Sequence, residues 1–340
     1  MSRTKVFITH YPEALTQYYG ARALAALEAL AEVQRSARAE PWSDAALVAA
    51  ARQCDIIVSD RRTEFSAALL AQLPRLVALC RCAVDIRNID LAAASAQGVL
   101  VTQASAGFMA SVSEWIIGAM VDLSRGLSAA AAQYHAGVAP LPVMGRELRG
   151  ATLGIIGYGQ IGRYLADVAL ALGMRVRVSD PHTQVMHASL VQVSLAELLA
   201  TSDHVVCLAV ASAETENLMN AAAFAAMKPG AFFINASRGN LVDEAALLHA
   251  LNSGHIAGCA LDVGRASDQM PSLELARHPR VVATPHIGGL TLPAIEHQSL
   301  ETVQQVGAIL SGQVPHGAVN AAQATRLHAF LQRRAHKDSP

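Results

Sequence analysis

The sequence has few charged residues and no excess of either sign. Charged residues make up 16% of its 340 residues, and 26 Lys and Arg against 27 Asp and Glu give a formal net charge of -1. Without a positive field the chain does not attract a polyanion, so we expect no nucleic-acid partner. The hydrophobic share of 52% is large enough to form a sizeable core, which excludes intrinsic disorder for most of the chain.

Long apolar runs are also missing. One of the longest stretches without Asp, Glu, Lys or Arg runs from Leu91 to Ser113, and glutamines, glycines and serines interrupt it. A membrane-spanning helix needs about 20 mostly apolar residues in one run, so we expect no membrane association. The N-terminus passes from charged residues directly into a strand-like segment, without the apolar region of a signal peptide. We therefore expect cytoplasmic residence.

Cysteine is scarce, and the five cysteines are Cys54, Cys80, Cys82, Cys207 and Cys259. An odd number in a chain of this length does not form a disulfide framework. Cys80 and Cys82 are the only close pair, and no further ligand lies nearby at a suitable spacing, so we expect no metal site. Buried free thiols in a reducing compartment are the expected state.

Short apolar runs alternate with helical stretches, which favours parallel sheets built from βαβ units. The length suggests about two domains of ~150 residues. Strands are predicted at 5–9, 55–59, 76–80 and 99–102, with helical spacing over 13–33 and 90–97. A second series is predicted at 152–157, 175–179, 204–209, 231–235, 257–262 and 281–284, which is typical of a doubly wound dinucleotide-binding domain. A long helix over 110–134 separates the two series.

Three glycines, Gly157, Gly159 and Gly162, stand between a predicted strand and a predicted helix. In a dinucleotide-binding turn, the first permits a tight turn, the second lets the backbone approach a pyrophosphate, and the third lets helix and strand pack closely. The helix N-terminus then offers amides and the positive end of its dipole to the phosphates. The segment therefore predicts dinucleotide binding. The alternative is a packing turn in which Asp180 only caps a helix.

Asp180 ends the next predicted strand, 18 residues after Gly162. A carboxylate there accepts hydrogen bonds from the adenosine ribose hydroxyls and repels the 2′-phosphate of NADP. NAD is therefore the expected cofactor and NADP is disfavoured, although Arg175, Arg177 and His182 lie close enough to oppose this preference.

Three later strands each end in a charged or titratable residue. Arg238, Asp262 and His286 lie in the segments Asn-Ala-Ser-Arg-Gly, Ala-Leu-Asp-Val and Thr-Pro-His-Ile-Gly-Gly. Because the carboxyl ends of parallel strands line the ligand crevice of an open α/β sheet, we expect these side chains to converge where the nicotinamide would lie.

With these motifs in this order, the chain resembles the D-isomer-specific 2-hydroxyacid dehydrogenases over roughly residues 50–320. The resemblance implies an NAD-dependent oxidoreductase that transfers a hydride between nicotinamide and a small D-2-hydroxy acid or 2-oxo acid, for example a glyoxylate or hydroxypyruvate reductase. It implies two doubly wound parallel-sheet domains: a Rossmann cofactor domain at 103–290, inserted in a flavodoxin-like substrate domain formed by 1–102 and 291–340. It also implies an active site in the cleft and a homodimer joined largely through the cofactor domains, with the apolar stretch around Trp115 at the contact.

By the same resemblance, Arg238 binds the carboxylate and carbonyl of the 2-oxo acid, a role that suits a permanently charged planar fork. His286 protonates the carbonyl oxygen and acts as base in the reverse reaction, because an imidazole changes charge near neutral pH. Asp262 would contact the nicotinamide carboxamide, and Val84 and Asp85 would lie in the substrate-binding loop. The implied cofactor-binding residues are Tyr158, Gly159, Gln160, Ile161, Asp180, Pro181, Ala209, Val210, Thr215, Ala236, Ser237, Arg238, Asp262, His286 and Gly288.

The sequence departs from the family pattern beside the expected catalytic histidine. The family usually pairs this histidine with a glutamate, and that position is Ser267 here. Asp268 is the first candidate to replace it, with Gln269 and Glu274 as weaker ones. If no carboxylate reaches His286, reduction should fade at a lower pH.

A second departure lies in the substrate loop, where the family often carries Gly-x-Gly-x-Asp-Asn-x-Asp and this chain has residues 83–90. Asp85 replaces a glycine. An inward Asp85 would repel an anionic substrate, whereas an outward one would pair with Arg87; otherwise the substrate differs from a simple 2-oxo acid. Val210 stands where the family usually has proline, a change that we expect to be mild.

Two other functions stay open. One is a dinucleotide-sensing, non-catalytic binding protein on the same scaffold, which the missing glutamate and Asp85 favour and which Arg238 and His286 oppose. The weaker one is an enzyme for a substrate such as formate or a phosphonate, for which the altered loop 83–90 would matter.

Overall fold

The structure, a computed structural model, describes residues 3–337, apart from the side chains of Asp268 and residues 333–337. The chain forms two compact units, Met1–Gly107 with Leu292–Pro340 and Phe108–Thr291. The crossings between them fall at 107/108 and 291/292, beside the predicted boundaries at 102/103 and 290/291. Each unit is built on a parallel sheet, which confirms the predicted fold class. Which unit binds the substrate and which the cofactor stays a prediction.

Helices and strands mostly alternate along the described residues. In chain order they are β1 (Lys5–Ile8), α1 (Pro12–Tyr18), α2 (Ala21–Leu30), β2 (Glu32–Arg35), α3 (Asp44–Ala51), β3 (Ile56–Ser59), α4 (Ala67–Ala71), β4 (Ala78–Arg81), α5 (Leu91–Ala96), β5 (Leu100–Gln103), α6 (Met109–Arg125), α7 (Leu127–His135), β6 (Thr152–Ile156), α8 (Gln160–Ala171), β7 (Arg175–Ser179), β8 (Leu190–Gln192), α9 (Leu195–Thr201), β9 (His204–Cys207), α10 (Ala221–Ala226), β10 (Phe232–Asn235), α11 (Glu244–Asn252), β11 (Gly258–Leu261), α12 (Leu273–Ala276), β12 (Val281–Ala283), α13 (Leu292–Leu310) and α14 (Thr325–Lys337). Within residues 3–337, none of these helices has the length and apolar character required to cross a bilayer.

The first unit contains a five-stranded parallel sheet in the order β2-β1-β3-β4-β5, which is the flavodoxin-like order. Strands β3 and β4 are buried along their whole length, because helices cover both faces of a parallel sheet. Alternate residues of β1 belong to different apolar clusters. Val6 and Ile8 pack in a cluster with residues of α2 and α13, and Phe7 packs in one with residues of α3 and α4.

The second unit contains a seven-stranded parallel sheet in the order β12-β11-β10-β9-β6-β7-β8. Its first strand, β6, lies inside the sheet. Strands β7 and β8 follow on one side, and β9 to β12 follow on the other. This is the doubly wound dinucleotide-binding order with one additional strand. The strand order reverses between β6 and β9, so a ligand crevice is expected outside their carboxyl ends.

Three local predictions are wrong. The helical spacing over 13–33 is interrupted at Gly20, whose φ of +85° favours glycine, and the end of that segment forms strand β2. The helix predicted over 110–134 is divided at Gly126, which has φ +67°. Strand β8 was not expected at all. Both missed strands are at sheet edges and are largely exposed, so they lack the apolar run that identifies a strand.

Asn320 fastens the C-terminal segment of the first unit to β5. Its Oδ1 accepts a hydrogen bond from the Val101 amide at 2.7 Å, and its Nδ2 donates to the Val99 carbonyl at 2.9 Å and to Ser95 Oγ at 3.0 Å. The side chain is buried. Its removal would therefore leave buried backbone groups without partners.

We predict that Asn320→Ala lowers the free energy of unfolding by about 1–3 kcal/mol, the cost of an unsatisfied buried donor or acceptor. Asn320→Asp should lose at least as much, because it buries a carboxylate and turns one of its oxygens toward the Val99 carbonyl to which Nδ2 donates. Gln323→Ala, at an exposed position of the same segment, should change stability by less than about 0.5 kcal/mol. Urea denaturation checks this. Equal effects of Asn320→Ala and Gln323→Ala would contradict the prediction.

Candidate active site

The turn between β6 and α8 has the features of a dinucleotide-binding turn. Gly157 has φ +95°, and a Cβ on it would lie 2.7 Å from the carbonyl of Leu208. A Cβ on Gly162 would lie 2.5 Å from the carbonyl oxygen of Gly157, so α8 packs directly against the end of β6. By contrast, no described heavy atom lies within 4 Å of a Cβ on Gly159. A side chain at Gly157 or Gly162 would therefore overlap protein atoms, whereas Gly159 faces open space.

The N-terminus of α8 is suited to an anion. Gly159 is its N-cap residue, and no described side chain caps the helix. The first amides of this 12-residue helix therefore point, with the positive end of its dipole, to the space beside Gly159. Open space and uncapped amides together fit the pyrophosphate of a dinucleotide. Gln160 and Ile161, two predicted cofactor-binding residues, form the first turn of the helix.

Asp180 reaches from the end of β7 to this turn. Its Oδ2 accepts a hydrogen bond from the Tyr158 amide at 2.7 Å, and its Oδ1 accepts one from the His182 amide at 2.8 Å. Burial acts to raise the pKa of Asp180, but the hydrogen bonds from the amides of Tyr158, His182 and Thr183 outweigh it, and the pKa is lowered. The carboxylate is thus ionised at neutral pH, and its remaining lone pairs suit ribose hydroxyls. The next residue, Pro181, is exposed.

The loop after β9 lies beside the glycine turn and contacts the loop after β10. Ser237 Oγ donates to the carbonyl of Ala209 at 2.7 Å. Thr215 Oγ1 donates to the carbonyl of Val210 at 2.7 Å, which closes the loop over residues 210–215. The structure thus brings together Ala209, Val210, Thr215 and Ser237 from the predicted cofactor-binding set. Ala236 is half-buried beside Ser237.

The backbone of Arg238 is fixed on both sides. Buried Asn235 donates from Nδ2 to the carbonyl of Arg238 at 2.9 Å and accepts from the Ser237 amide at 3.1 Å. On the other side, Gly239 lies so close to Gly264 that a Cβ on it would lie 2.0 Å from the Gly264 carbonyl oxygen. Arg238 Nη1 donates to the carbonyl of Ser237 at 2.7 Å. We did not predict the role of Asn235, whose only signal is an amide side chain at a buried strand end.

Asp262 organises the loop that carries His286. Its Oδ1 accepts from Thr284 Oγ1 at 2.7 Å and from the Ile287 amide at 2.8 Å, and its Oδ2 accepts from the Gly288 amide at 2.8 Å. His286 has φ +57°, a conformation that few residues other than glycine adopt. Such strain persists only where neighbouring groups enforce it. In this structure Asp262 therefore positions the histidine, and its contact with the nicotinamide carboxamide stays a prediction.

The position that the family's glutamate usually occupies lies in a short turn, Ser267–Gln269. The side chain of Asp268, the first candidate to replace that glutamate, lies outside the described part of the molecule. Gln269 has φ +57°, and its Oε1 is buried without a described hydrogen-bond partner. Glu274 lies in the first turn of α12. The pairing of Asp268 with His286 stays a prediction.

In the first unit, the charge of Asp85 in the loop over 83–90 is balanced by an ion pair. Asp85 accepts hydrogen bonds from Arg87 Nε at 3.0 Å and Nη2 at 2.6 Å, so the structure contains the ion pair that the sequence left as one alternative. Arg81, which is 2% exposed, donates to the carbonyls of Asp85 at 3.0 Å and Ser59 at 3.3 Å. Val84 is exposed beside them. Contact of Val84 and Asp85 with a substrate stays a prediction.

The cysteines do not form a reactive site. All five are free and buried, and burial raises the pKa of Cys207 to about 12, so its thiol is protonated at neutral pH. Within the described part of the chain, no group of three or more His, Cys, Asp or Glu side chains is placed to hold a metal ion.

The chain is similar to one family of proteins along most of its length. Residues 117–288 match the family model described as D-isomer specific 2-hydroxyacid dehydrogenase, NAD binding domain. The (S)-sulfolactate dehydrogenase of Chromohalobacter salexigens is 36% identical over 255 residues, which cover 74% of this chain and 82% of that protein. The chain therefore belongs to the D-isomer specific 2-hydroxyacid dehydrogenase family.

Other relatives are longer or more distant. The D-3-phosphoglycerate dehydrogenase of Mycobacterium tuberculosis is 34% identical over 280 residues, 81% of this chain and 52% of that protein. The chain thus spans about half the length of this curated relative. A solved structure of D-2-hydroxyisocaproate dehydrogenase superposes with a TM-score of 0.83 at 25% identity, covering 93% of this chain and 100% of that one.

The glycine turn allows ligand binding and folding to be tested separately. We predict that Gly159→Ala leaves the thermal unfolding temperature unchanged but weakens NADH binding about tenfold, a change of about 1.4 kcal/mol, because the new methyl group occupies the space of the pyrophosphate. Gly162→Ala should destabilise the fold by about 1–3 kcal/mol through overlap with the Gly157 carbonyl. Gly307→Ala, on a helix of the first unit, is the control and should leave NADH affinity unchanged. Fluorescence titration and thermal unfolding check these outcomes, and wild-type NADH affinity in Gly159→Ala would refute the assignment.

Proposed function

We propose that the protein is an NAD-dependent oxidoreductase that transfers a hydride between nicotinamide and a small D-2-hydroxy acid or 2-oxo acid. The observation that carries the proposal is one sheet edge in the second unit. There an uncapped helix N-terminus adjoins the glycine turn, and Arg238 and His286 lie on loops that Asn235 and Asp262 hold in place. Membership of the 2-hydroxyacid dehydrogenase family supports it.

In this proposal each residue has a separate task. Tyr158 to Ile161 bind the pyrophosphate and Asp180 binds the adenosine ribose. Arg238 binds the carboxylate and orients the carbonyl of the 2-oxo acid with its planar fork. NADH supplies the hydride when bound. His286 donates a proton to the carbonyl oxygen, and it accepts that proton in the oxidation direction.

We propose NAD rather than NADP as the cofactor. The ionised Asp180 repels a 2′-phosphate, and the two arginines that could attract one are engaged elsewhere. Arg177 Nη1 forms an ion pair with Glu197 Oε1 at 2.7 Å, and Arg175 Nε donates to Thr152 Oγ1 at 3.3 Å. These partners support the NAD preference.

For the substrate, small acids such as glyoxylate and hydroxypyruvate are the first candidates. A second candidate is an acid with another anionic group. It is supported by two relatives, the sulfolactate and phosphoglycerate dehydrogenases, which are named for such acids.

The alternative is a dinucleotide-sensing, non-catalytic binding protein on the same scaffold.

We also propose cytoplasmic residence, because five buried free thiols are compatible with a reducing compartment.

NADH oxidation with a panel of 2-oxo acids tests the proposal. The panel comprises glyoxylate, hydroxypyruvate, pyruvate, bulkier aliphatic 2-oxo acids and the 2-oxo acids formed by oxidation of 3-phosphoglycerate and sulfolactate, each with NADH and NADPH. We predict turnover that His286→Ala reduces by about 10²–10⁴-fold, without loss of NADH affinity. Arg238→Ala should abolish substrate binding while NADH binding persists, and Arg238→Lys should recover part of it. If the protein binds NADH but turns over none of these acids, the dehydrogenase proposal is refuted and the sensing protein is favoured.

We further propose a homodimer formed through the second unit. The segment after α7 forms neither helix nor strand and carries large apolar side chains in solvent, namely Leu141 (86% exposed), Val143 (85%) and Met144 (95%). A groove of about 250 Å³ on the same unit is lined by Trp115, Gly118, Ala119, Asp122 and Val282. Exposed apolar patches of this kind mark interaction sites.

The oligomeric state tests this proposal. Light scattering after size exclusion should give twice the mass of one chain, and Leu141→Asp combined with Met144→Asp should shift the protein to monomer. Met186→Asp, at another exposed methionine of the same unit (83% exposed), is the matched control and should stay dimeric. A monomeric wild type would refute the homodimer.

A further inference from the structure

Arg265 connects the loop after β11 to the loop that follows Arg238. Its Nε donates to the carbonyl of Val242 at 3.1 Å, and its Nη2 donates to the carbonyl of Asn240 at 3.0 Å. Its own amide donates to Glu244 Oε1 at 3.1 Å. The arginine thus binds two of the four residues that follow Arg238 through their backbone oxygens.

The same side chain also reaches the loop after β9. Nη2 donates to Asn217 Oδ1 at 2.6 Å and to Glu216 Oε1 at 2.8 Å. Asn217 has φ +53°, and its amide donates to the carbonyl of Asn240 at 2.9 Å. Hydrogen bonds from Asn240 and Arg265 lower the pKa of Glu216, so this carboxylate is ionised opposite the guanidinium. One side chain therefore joins the loops at the carboxyl ends of three neighbouring strands.

The ion pair is not the main part of this arrangement. The Arg265 and Glu216 side chains are 38% and 43% exposed, and exposed pairs contribute little, about 0–1 kcal/mol. The bonds to two carbonyls are what define the path of the backbone. They need donors in different directions from one planar group, which a guanidinium provides and an ammonium does not.

These contacts complete the support of Arg238. Asn235 binds the carbonyl of Arg238 itself, and the Gly239–Gly264 contact presses the loop after β11 against the next residue. Arg265 then fixes the path of the chain through Val242. The arginine expected to bind the substrate is thus held from one side by its own strand and from the other by Arg265.

We propose that Arg265 is a positioning residue that sets the substrate affinity of Arg238 by fixing residues 239–242. The inference rests on the proposed function, since it takes Arg238 as the group that binds the substrate carboxylate. Arg265 itself touches neither substrate nor cofactor in this proposal, so its effect should appear in the KM of the 2-oxo acid and not in NADH affinity.

Arg265→Met is the principal test. With the best 2-oxo acid of the panel, its KM should rise about tenfold or more, because displacing a binding group by about 1 Å can cost on the order of 100-fold. The Kd of NADH should stay within about twofold of wild type. Arg265→Lys, which keeps the charge without the fork, should resemble Arg265→Met, and free guanidinium should partly restore the substrate affinity of Arg265→Ala. Arg280→Met is the matched control, because Arg280 Nη1 donates to the carbonyl of Leu251 at 3.3 Å, outside the loops that Arg265 joins.

The outcomes separate positioning from stability. An unchanged KM in Arg265→Met, whether or not the unfolding temperature falls, would overturn the proposal, as would full substrate affinity in Arg265→Lys. If Arg265→Met does not fold, the KM of Arg265→Lys and the guanidinium titration of Arg265→Ala test the proposal in its place.

A wild type that reduces no 2-oxo acid would be a failure of the proposed function. Hydrogen exchange then tests the clamp alone, that is, the restraint that Arg265 places on residues 239–242. The probes are the amides of Val242 and Met219, which donate to the carbonyls of Gly239 and Leu241, respectively. Faster exchange of both in Arg265→Met, with unchanged exchange in Arg280→Met, would support the clamp. Unchanged exchange would overturn it.

Discussion

The candidate site depends on the carboxylate of Asp262, which holds the His286 loop in a conformation that the loop would not keep by itself. A hydrogen bond to a charged group contributes about 1.5–3 kcal/mol, whereas a left-handed residue other than glycine costs about 1–3 kcal/mol. Three such bonds, from Thr284, Ile287 and Gly288, therefore outweigh the strain at His286. The third bond also needs glycine at 288, since a Cβ there would lie 2.8 Å from the carboxylate.

The same arrangement recurs at other strand ends in both units. Asn235, Asp60 and Asp180 each stand at or beside a carboxyl end of a strand and bind the backbone of a loop. Arg81 does so with donors in place of acceptors. A polar residue at a strand end is thus as suited to hold a loop as to meet a ligand. Asp262 illustrates the difficulty, because the family resemblance implies a contact with the nicotinamide carboxamide, which stays a prediction, while its hydrogen bonds show that it supports a loop.

The sequence predicted the features that one residue type determines locally. The glycine turn is such a feature, because only glycine tolerates the backbone angle at Gly157 and the close contact at Gly162. The buried strands were also found, since their apolar runs are continuous. The edge strands β2 and β8 were not, because half-exposed strands carry no such run. The contact between Arg265 and Glu216 joins residues 49 positions apart, and it depends on how three loops pack, which no local pattern encodes.

Two of the three departures from the family pattern, at Asp85 and Ser267, now differ in what they imply for function. Asp85 forms a bidentate ion pair with Arg87, so the residue that replaces a glycine adds no uncompensated charge to its loop and gives little reason to exclude an anionic substrate. The change at Ser267 lies in a loop that Arg265 ties to the segment after Arg238. That loop has kept a defined path although the usual glutamate is absent. A sensing protein would need neither the ion pair that compensates Asp85 nor a doubly supported Arg238, and both features favour the proposed dehydrogenase.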